Sequence, residues 1–586
     1  MLKRLLPCMM VLCLGALTGW AGEPGRPEKS VEMRFLLVSD RSQKNSVSVT
    51  ANLRRAMSDA SLAAEELDIS KLPGLTRARM TYSAIIFAAE KAAQFVYPDD
   101  VKGYVLDGGT LVVAMPTWND ELMNQFGLGL SGPEKAFFIG KGFRTIRHPL
   151  AGVPITYPKD FGGGAGIRMV ASPSWEVCME YLEPAGMPML VQRSFGNGRI
   201  VYWNVDTLNR KQFRGFFLFS LLKNLPIGAM SIFNALLFQI DDSPPPVTNR
   251  LVDPVARDYG LTDVRFYKHK WYETVENSLA SHAIKVGHFV CINYLGKVTR
   301  PFTGDSDRPE FLRETLDHIQ ARKEEIGFHG LNHQSLSLSE VWSTAWPSFE
   351  DMREGTEAGM GAWEALRLPA PFTYVPPNNV IDAAGKKALV AGFPSIRAIF
   401  RVYQGGDEEK FEGDLGDEFG QDPDVPALFN APRFSDGYHR DEADVFKIVA
   451  GVMSHGLVNH FIHPDDVFDP ERSKRRSWEQ LMVSLDQILD LFDRLLPGAH
   501  RLSPKSFITP LKDFINTKVT MLSENNGLRI FREGRGRNCY FLFARDASGT
   551  PKIEGGKVLS TYEGDGLYII EATASSCFIL PGVLPH

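Results

Sequence analysis

The sequence predicts an α/β protein with a large parallel sheet near its N-terminus and a small β-rich module at its C-terminus. Three observations carry that expectation. Short apolar segments at 34–38, 83–88 and 108–114 are separated by stretches that read as helix, the pattern of a parallel sheet covered on both faces. A second apolar run at 234–240 is uniform enough for an interior strand and opens a middle domain. From about residue 515, short strands are split by Gly and Asp turns, as in a small β-sandwich-like module at 515–586.

In order along the chain, residues 1–22 place Lys3 and Arg4 ahead of an apolar run and then small residues around Gly19, Ala21 and Gly22. That is the pattern of a secretory signal ending near Ala21, and it predicts export to the periplasm or beyond. No later stretch offers the roughly 20 apolar residues of a membrane span, so none is expected after signal removal. Residues 45–57 and 100–106 read as helices, and 31–228 as a flavodoxin-like or amidotransferase-like α/β domain. It resembles the class I glutamine amidotransferase fold, with 196–202 (GNGRIVY) similar to a late strand of such domains. An amidotransferase needs a Cys on a tight turn, activated by a His. Cys178, in SPSWEVCMEYL, lacks flanking glycines, so this domain is expected to be catalytically silent.

Composition narrows the function classes. With 64 Lys+Arg against 70 Asp+Glu, a formal charge of −6 and no basic block, a nucleic-acid-binding protein is not expected. The 44% hydrophobic content is that of an ordinary globular protein. Cys178, Cys291, Cys539 and Cys577 show no CxxC spacing; Cys539 and Cys577 could pair, but four thiols make no disulfide framework.

The middle domain carries the chemistry. The run at 234–240 ends in Asp241-Asp242-Ser243-Pro244, where the prolines forbid further strand, so two carboxylates stand at a strand's C-terminal end. Consecutive strand residues face opposite ways, so the pair could share a site only if the backbone bends there. Downstream, Glu325 to Phe328 reads as another short strand running into His329 and His333. Two imidazoles at i and i+4 would lie on one face of a helical turn, within reach of one metal ion. A bare HxxxH is better read as two surface or capping histidines; the strand end and the Asp pair favour a site. One Asp with two His would give three ligands and an open position, as in catalytic zinc centres.

The ordered set Asp241-Asp242, His329-x-x-x-His333, Tyr374-Val375-Pro376-Pro377-Asn378-Asn379 and Phe461-Ile462-His463 resembles the motifs of NodB-type polysaccharide deacetylases, and more specifically Pel-type exopolysaccharide deacetylase domains. The resemblance covers about 234–495, in a domain of about 234–500. It implies a distorted (β/α) barrel, a divalent metal with zinc expected, and removal of acetyl groups from N-acetylhexosamine residues of a polysaccharide. It further implies Asp241 as general base, Asp242, His329 and His333 as metal ligands, and His463 as general acid. Val375 stands where many relatives have Arg; Arg433, in Ala431-Pro432-Arg433-Phe434, is the candidate to replace it from another loop. The long separation of the first two motifs implies an inserted loop around 293–309. His460 is read as structural, and Asp465 and Asp466 as acids favoured at a helix N-terminus.

Tyr267, His269, Trp271 and Tyr438 are candidates to stack on sugar rings, or else packing residues, and the acidic stretch from Asp407 to Asp424 reads as a solvated loop. An amphipathic helix over 481–496 should close the domain. Two functions remain open. One is a secreted metal-dependent deacetylase acting on an N-acetylated exopolysaccharide, with export machinery as a conceivable partner. The other is a non-catalytic polysaccharide-binding or secretion-scaffold protein, for which the residue at Val375 is the main argument.

Overall fold

The computed structural model describes residues 30–582 apart from 75–80, 90–97, 118–123, 125, 131–136, 160–162, 341, 404–416, 525, 548, 563 and 565. The expected signal segment and most of the acidic stretch therefore lie outside the described residues. Among the described residues no helix is long and apolar enough to cross a membrane.

Two ten-stranded sheets dominate a mixed α/β architecture. In the first, Ala63–Asp68, Arg34–Ser39, Ala84–Ala88, Thr110–Val113 and Gly198–Trp203 lie side by side and parallel. Ala84–Ala88 and Thr110–Val113 are buried at every position, so both faces need cover, and helix Lys44–Asp59 supplies part of it. Beyond Gly198–Trp203 the sheet becomes antiparallel through Pro188–Phe195, Glu176–Glu183 and Phe137–Thr145, so the expectation of a parallel sheet holds for only one half. A short connection accounts for the first of these pairings. Gly196 and Asn197 form the whole turn before Gly198–Trp203, and two residues can reverse a chain but cannot carry a crossover. Gly196 takes φ +59°, and a Cβ there would meet Leu106 at 2.8 Å. Cys178 lies inside Glu176–Glu183, its thiol pushed up to about 12 by burial and then by Glu176, which leaves no activated nucleophile.

The second sheet is curved into half a barrel. Its central strand, Ala235–Ile240, is buried throughout and lies between Val286–Val290 and Leu457–Ile462. Glu325–Phe328, Thr373–Tyr374, Ala398–Ile399 and Phe429–Asn430 follow on one side and Ser435–Asp436 on the other, all parallel. Because these strands share one direction, the residues that leave them emerge at one end: Asp241 and Asp242, Tyr294, His329, Asn379, Arg401, Arg433 and His463. Ligand sites of parallel sheets are built at that end. Helix Trp478–Leu495 packs its apolar face into the core and begins earlier than 481 because Ser477 and Gln480 close a capping box there.

The C-terminal strands form two antiparallel sheets that each take a strand from upstream. Ile227–Ile232 pairs along its length with Cys539–Ala544, and Val31–Glu32 with Lys518–Glu524. Cys539 and Cys577 are both free and buried.

Candidate metal centre

The central strand ends because Asp242 turns into the left-handed region, φ +51°. Asp tolerates that conformation better than most side chains. The backbone straddles two neighbours there: the Asp241 N–H donates to Ile462 O (3.0 Å) and the Ser243 N–H to Phe289 O (3.0 Å). The two carboxylates thus reach one site through a bend at the second of them. Both are buried, at 1% and 6% exposure.

His329 and His333 are not on a helical turn. The chain leaves Glu325–Phe328 through Gly330 at φ +111° and reaches His333 at φ +54°, an irregular loop in place of the expected helix. Left-handed positions bring the two rings together, with centroids 5.3 Å apart. His329 Nε2 lies 3.4 Å and His333 Nε2 3.2 Å from Asp242 Oδ1. The other His329 nitrogen, Nδ1, donates to Val375 O at 2.8 Å, because a carbonyl can only accept. With Nδ1 committed to that carbonyl, Nε2 is the His329 nitrogen that faces Asp242 and is placed to share a cation with it.

Among the described residues Asp242, His329 and His333 are the cluster of three whose ligand atoms all lie within 4.8 Å of one another. A carboxylate and two imidazoles fit a divalent first-row ion such as zinc. Burial opposes charge on Asp242, yet the neighbouring His333 and His329 hold its carboxyl well below the usual range; burial likewise opposes charge on His333, which Asp242 holds above its ordinary value. Tyr294 was not singled out from sequence. It donates to Asp242 Oδ1 (3.1 Å) and Pro244 O (2.8 Å), and its ring lies 5.4 Å from that of His333. It belongs to the loop after Val286–Val290, and its only sequence signal was that loop's length.

Beside this cluster, Asp241 is held by Arg433, whose Nη1 donates to Asp241 Oδ2 at 2.6 Å. Arg433 also donates to Asn379 Oδ1 (2.6 Å) and stacks over Phe461 at 3.5 Å. Its side chain is fully buried. Asp241 Oδ1, by contrast, has no hydrogen-bond partner among the described residues although it is buried, so one acceptor is left for water or ligand. Val375 points its carbonyl at His329 and leaves the guanidinium to Arg433. The N–H groups of Asn379 and Val380 donate to Pro376 O and Pro377 O.

His463 follows Leu457–Ile462 with Nε2 3.9 Å from Asp241 Oδ2 and Nδ1 3.4 Å from Asp466 Oδ1. Burial would lower its pKa, but Asp466, Asp242 and Asp241 raise it to about 10, so the ring carries a proton at neutral pH. Asp466 both caps the short helix Pro464–Phe468 and holds this ring, and Arg472 reaches it at 2.8 Å, so the helix-terminus reading covers only part of its role. His460 points away into the core, where its Nε2 donates to Gly437 O (2.9 Å) and its Nδ1 pairs with Ser435 Oγ (2.8 Å). His333 and His463 side chains are 28% and 23% exposed, which gives the site its access to solvent.

For the aromatic set the packing reading holds at three positions, and one expectation about the acidic stretch is corrected. Tyr267, Trp271 and Tyr438 are buried at 1% exposure or less and belong to the core, with Trp271 donating to Tyr438 Oη at 3.0 Å. Of that set His269 alone is exposed. Asp422, assigned to a solvated loop, is buried and paired with Lys386 at 2.7 Å.

A protein of Mycobacterium smegmatis described as a polysaccharide deacetylase is 17% identical, over 44% of this chain and 85% of that one, with a TM-score of 0.28. A cytoplasmic protein of Salmonella typhimurium is 12% identical over 33% of this chain and all of that one (TM-score 0.27). A β-galactosidase of Bacillus circulans is 13% identical over 34% and 33% (TM-score 0.24). Likenesses this distant say nothing of activity. No curated protein matches the chain. The family of uncharacterised proteins conserved in bacteria, DUF2194, matches residues 28–569, and the chain belongs to it.

Proposed function

We propose that the chain is a metal-dependent deacetylase that hydrolyses the acetamido group of N-acetylhexosamine residues in an exported polysaccharide. The observation that carries this reading is the junction of two carboxylates with different tasks: Asp242 facing two imidazole nitrogens, and Asp241 facing an arginine with one oxygen unsatisfied. Asp242, His329 and His333 would hold a divalent ion, which would supply Lewis-acid chemistry towards the acetyl carbonyl and the attacking water. Asp241 takes the proton of the attacking water through Oδ1, while Arg433 fixes Oδ2. The water oxygen bonds to the carbonyl carbon, the C–N bond breaks, and His463 gives its proton to the leaving amine. Acetate and a free amino sugar result. Asp466 keeps His463 charged for that step, and His329 is held in the tautomer that binds through Nε2 by Val375 O.

The scaffold alternative rested on the residue at Val375, and Arg433 against Asp241 removes that argument. Export and a polysaccharide substrate rest on the N-terminal sequence pattern and on the motif resemblance. The test is acetate release from N-acetylglucosamine and N-acetylgalactosamine oligomers by zinc-loaded protein. Release that is abolished by chelation and restored by zinc supports the reading; no release from any N-acetylated oligomer by protein carrying its ion contradicts it.

A further inference from the structure

We infer that Arg214, which belongs to the layer covering the first sheet, is a positioning residue for Asp241, acting through Tyr403, Glu418 and Arg401 on Arg433. The inference rests on the deacetylase reading for its catalytic meaning, but its structural content stands apart from it. Arg214 begins helix Arg214–Leu222, and its side chain is only 5% exposed. Its guanidinium forks onto Glu418 with contacts of 2.7 and 2.8 Å, donates to Tyr403 Oη at 3.0 Å and is braced by Asn52 Oδ1 at 2.7 Å. Arg55 adds a bond of 2.6 Å to Phe419 O, and Lys211 a contact of 3.6 Å to Glu418. Three cations of the first sheet's layer thus converge on residues 403 and 418–419 of the half-barrel.

Those residues grip Arg433 twice. Along the backbone, the Tyr403 N–H donates to Arg433 O (2.7 Å), the Arg433 N–H donates to Arg401 O (2.6 Å), and the Asp417 N–H donates to Val402 O (3.1 Å). Through side chains, Arg401 Nη1 bonds Asp417 Oδ1 (2.9 Å) and Arg401 Nε bonds Asn379 O (2.9 Å), while Asn379 Oδ1 receives Arg433 Nη2. Both routes end on the guanidinium that holds the proposed base, and both start next to residues clamped by Arg214. A planar bidentate fork fixes direction as well as distance, which a lysine at the same place cannot do. A displacement near 1 Å at a catalytic group costs up to about a hundredfold in rate, so a loosened clamp should be visible in turnover.

A purely structural role would join the two layers without steering Arg433. Arg494 provides the comparison, since it joins helix Trp478–Leu495 to Ala151 O (2.8 Å), away from the residues that contact Arg433 among the described ones. The experiment uses full-length zinc-loaded protein and the variants Arg214→Met, Arg214→Lys, Glu418→Gln and Arg494→Ala. It measures zinc content, melting temperature, kcat and KM for acetate release, and amide hydrogen exchange of the peptide spanning 429–436. Arg214→Met and Glu418→Gln should keep zinc and KM, lose about ten- to a hundredfold in kcat, and exchange faster at 429–436; Arg214→Lys should recover part of kcat, and Arg494→Ala should change neither reading. Unchanged exchange and a kcat within twofold of the parent in Arg214→Met and Glu418→Gln overturn the inference. If Arg214→Met does not fold, Glu418→Gln decides by the same two readings. A parent protein that releases no acetate counts against the deacetylase reading, and exchange at 429–436 then decides the clamp by itself.

Discussion

Asp241 and Asp242 are neighbours in sequence and opposites in environment, and each can be removed separately. Asp242→Ala or His329→Ala takes one donor from a three-donor set and should leave the purified protein with less than about a tenth of its zinc. Asp241→Asn should keep the ion and lose roughly a hundred- to ten-thousandfold in turnover, as for a positioned base. Loss of zinc in Asp241→Asn would show that ligand and base are exchanged. Arg433→Met leaves Asp241 buried without its hydrogen-bonded arginine and should cost about 3–5 kcal/mol in denaturant unfolding; a loss below about 1 kcal/mol would mean that the pair is not the buried contact seen here. His463→Ala should keep zinc and lower kcat by a factor in the same range as Asp241→Asn, whereas His460→Ala should lower stability and spare the rate of the folded fraction. These identities were legible from motif order. Tyr294 and the Asp466 contact were not, because their partners come from other strands.

At the scale of elements, helix Glu442–His455 and strand Leu457–Ile462 each bury a histidine. Burial depresses His455 to about 3 and His460 to about 4, so both stay neutral in the fold while the unfolded chain binds protons near pH 6.5. The sign follows for these two rings: their contribution to stability is complete above pH 6.5 and falls as pH drops from there towards 4, because the unfolded state takes up protons that the folded state refuses. Melting temperature measured from pH 8 to pH 4 should decline over that window, and less steeply in His460→Gln; a flat profile would contradict the burial of these rings. The interior strands could be read from apolar runs because burial on two faces leaves no other composition. The His329–His333 segment was misread as helical because spacing alone cannot distinguish a helical turn from a loop with left-handed residues at Gly330 and His333. Asp422 was misplaced because its partner Lys386 is distant in sequence.

Across the whole molecule, what sequence could not show is which strands find each other over long separations. Val31–Glu32 pairs near residue 522 and Ile227–Ile232 near 542, so the C-terminal sheets are completed by the chain's earlier parts. The antiparallel pairing of Pro188–Phe195 with Gly198–Trp203 follows from a two-residue turn, which composition does not reveal. The half-barrel was legible where it matters, since strand ends and acids or imidazoles coincide along the sequence. The most direct measurement is the metal content of purified full-length protein and of Asp242→Ala, by elemental analysis after extensive dialysis. One divalent ion per chain in the parent and in Asp241→Asn, with loss in Asp242→Ala, is the expected result. A parent that binds no ion when zinc is supplied, or an Asp242→Ala variant that keeps it, would contradict the metal centre and the deacetylase reading with it.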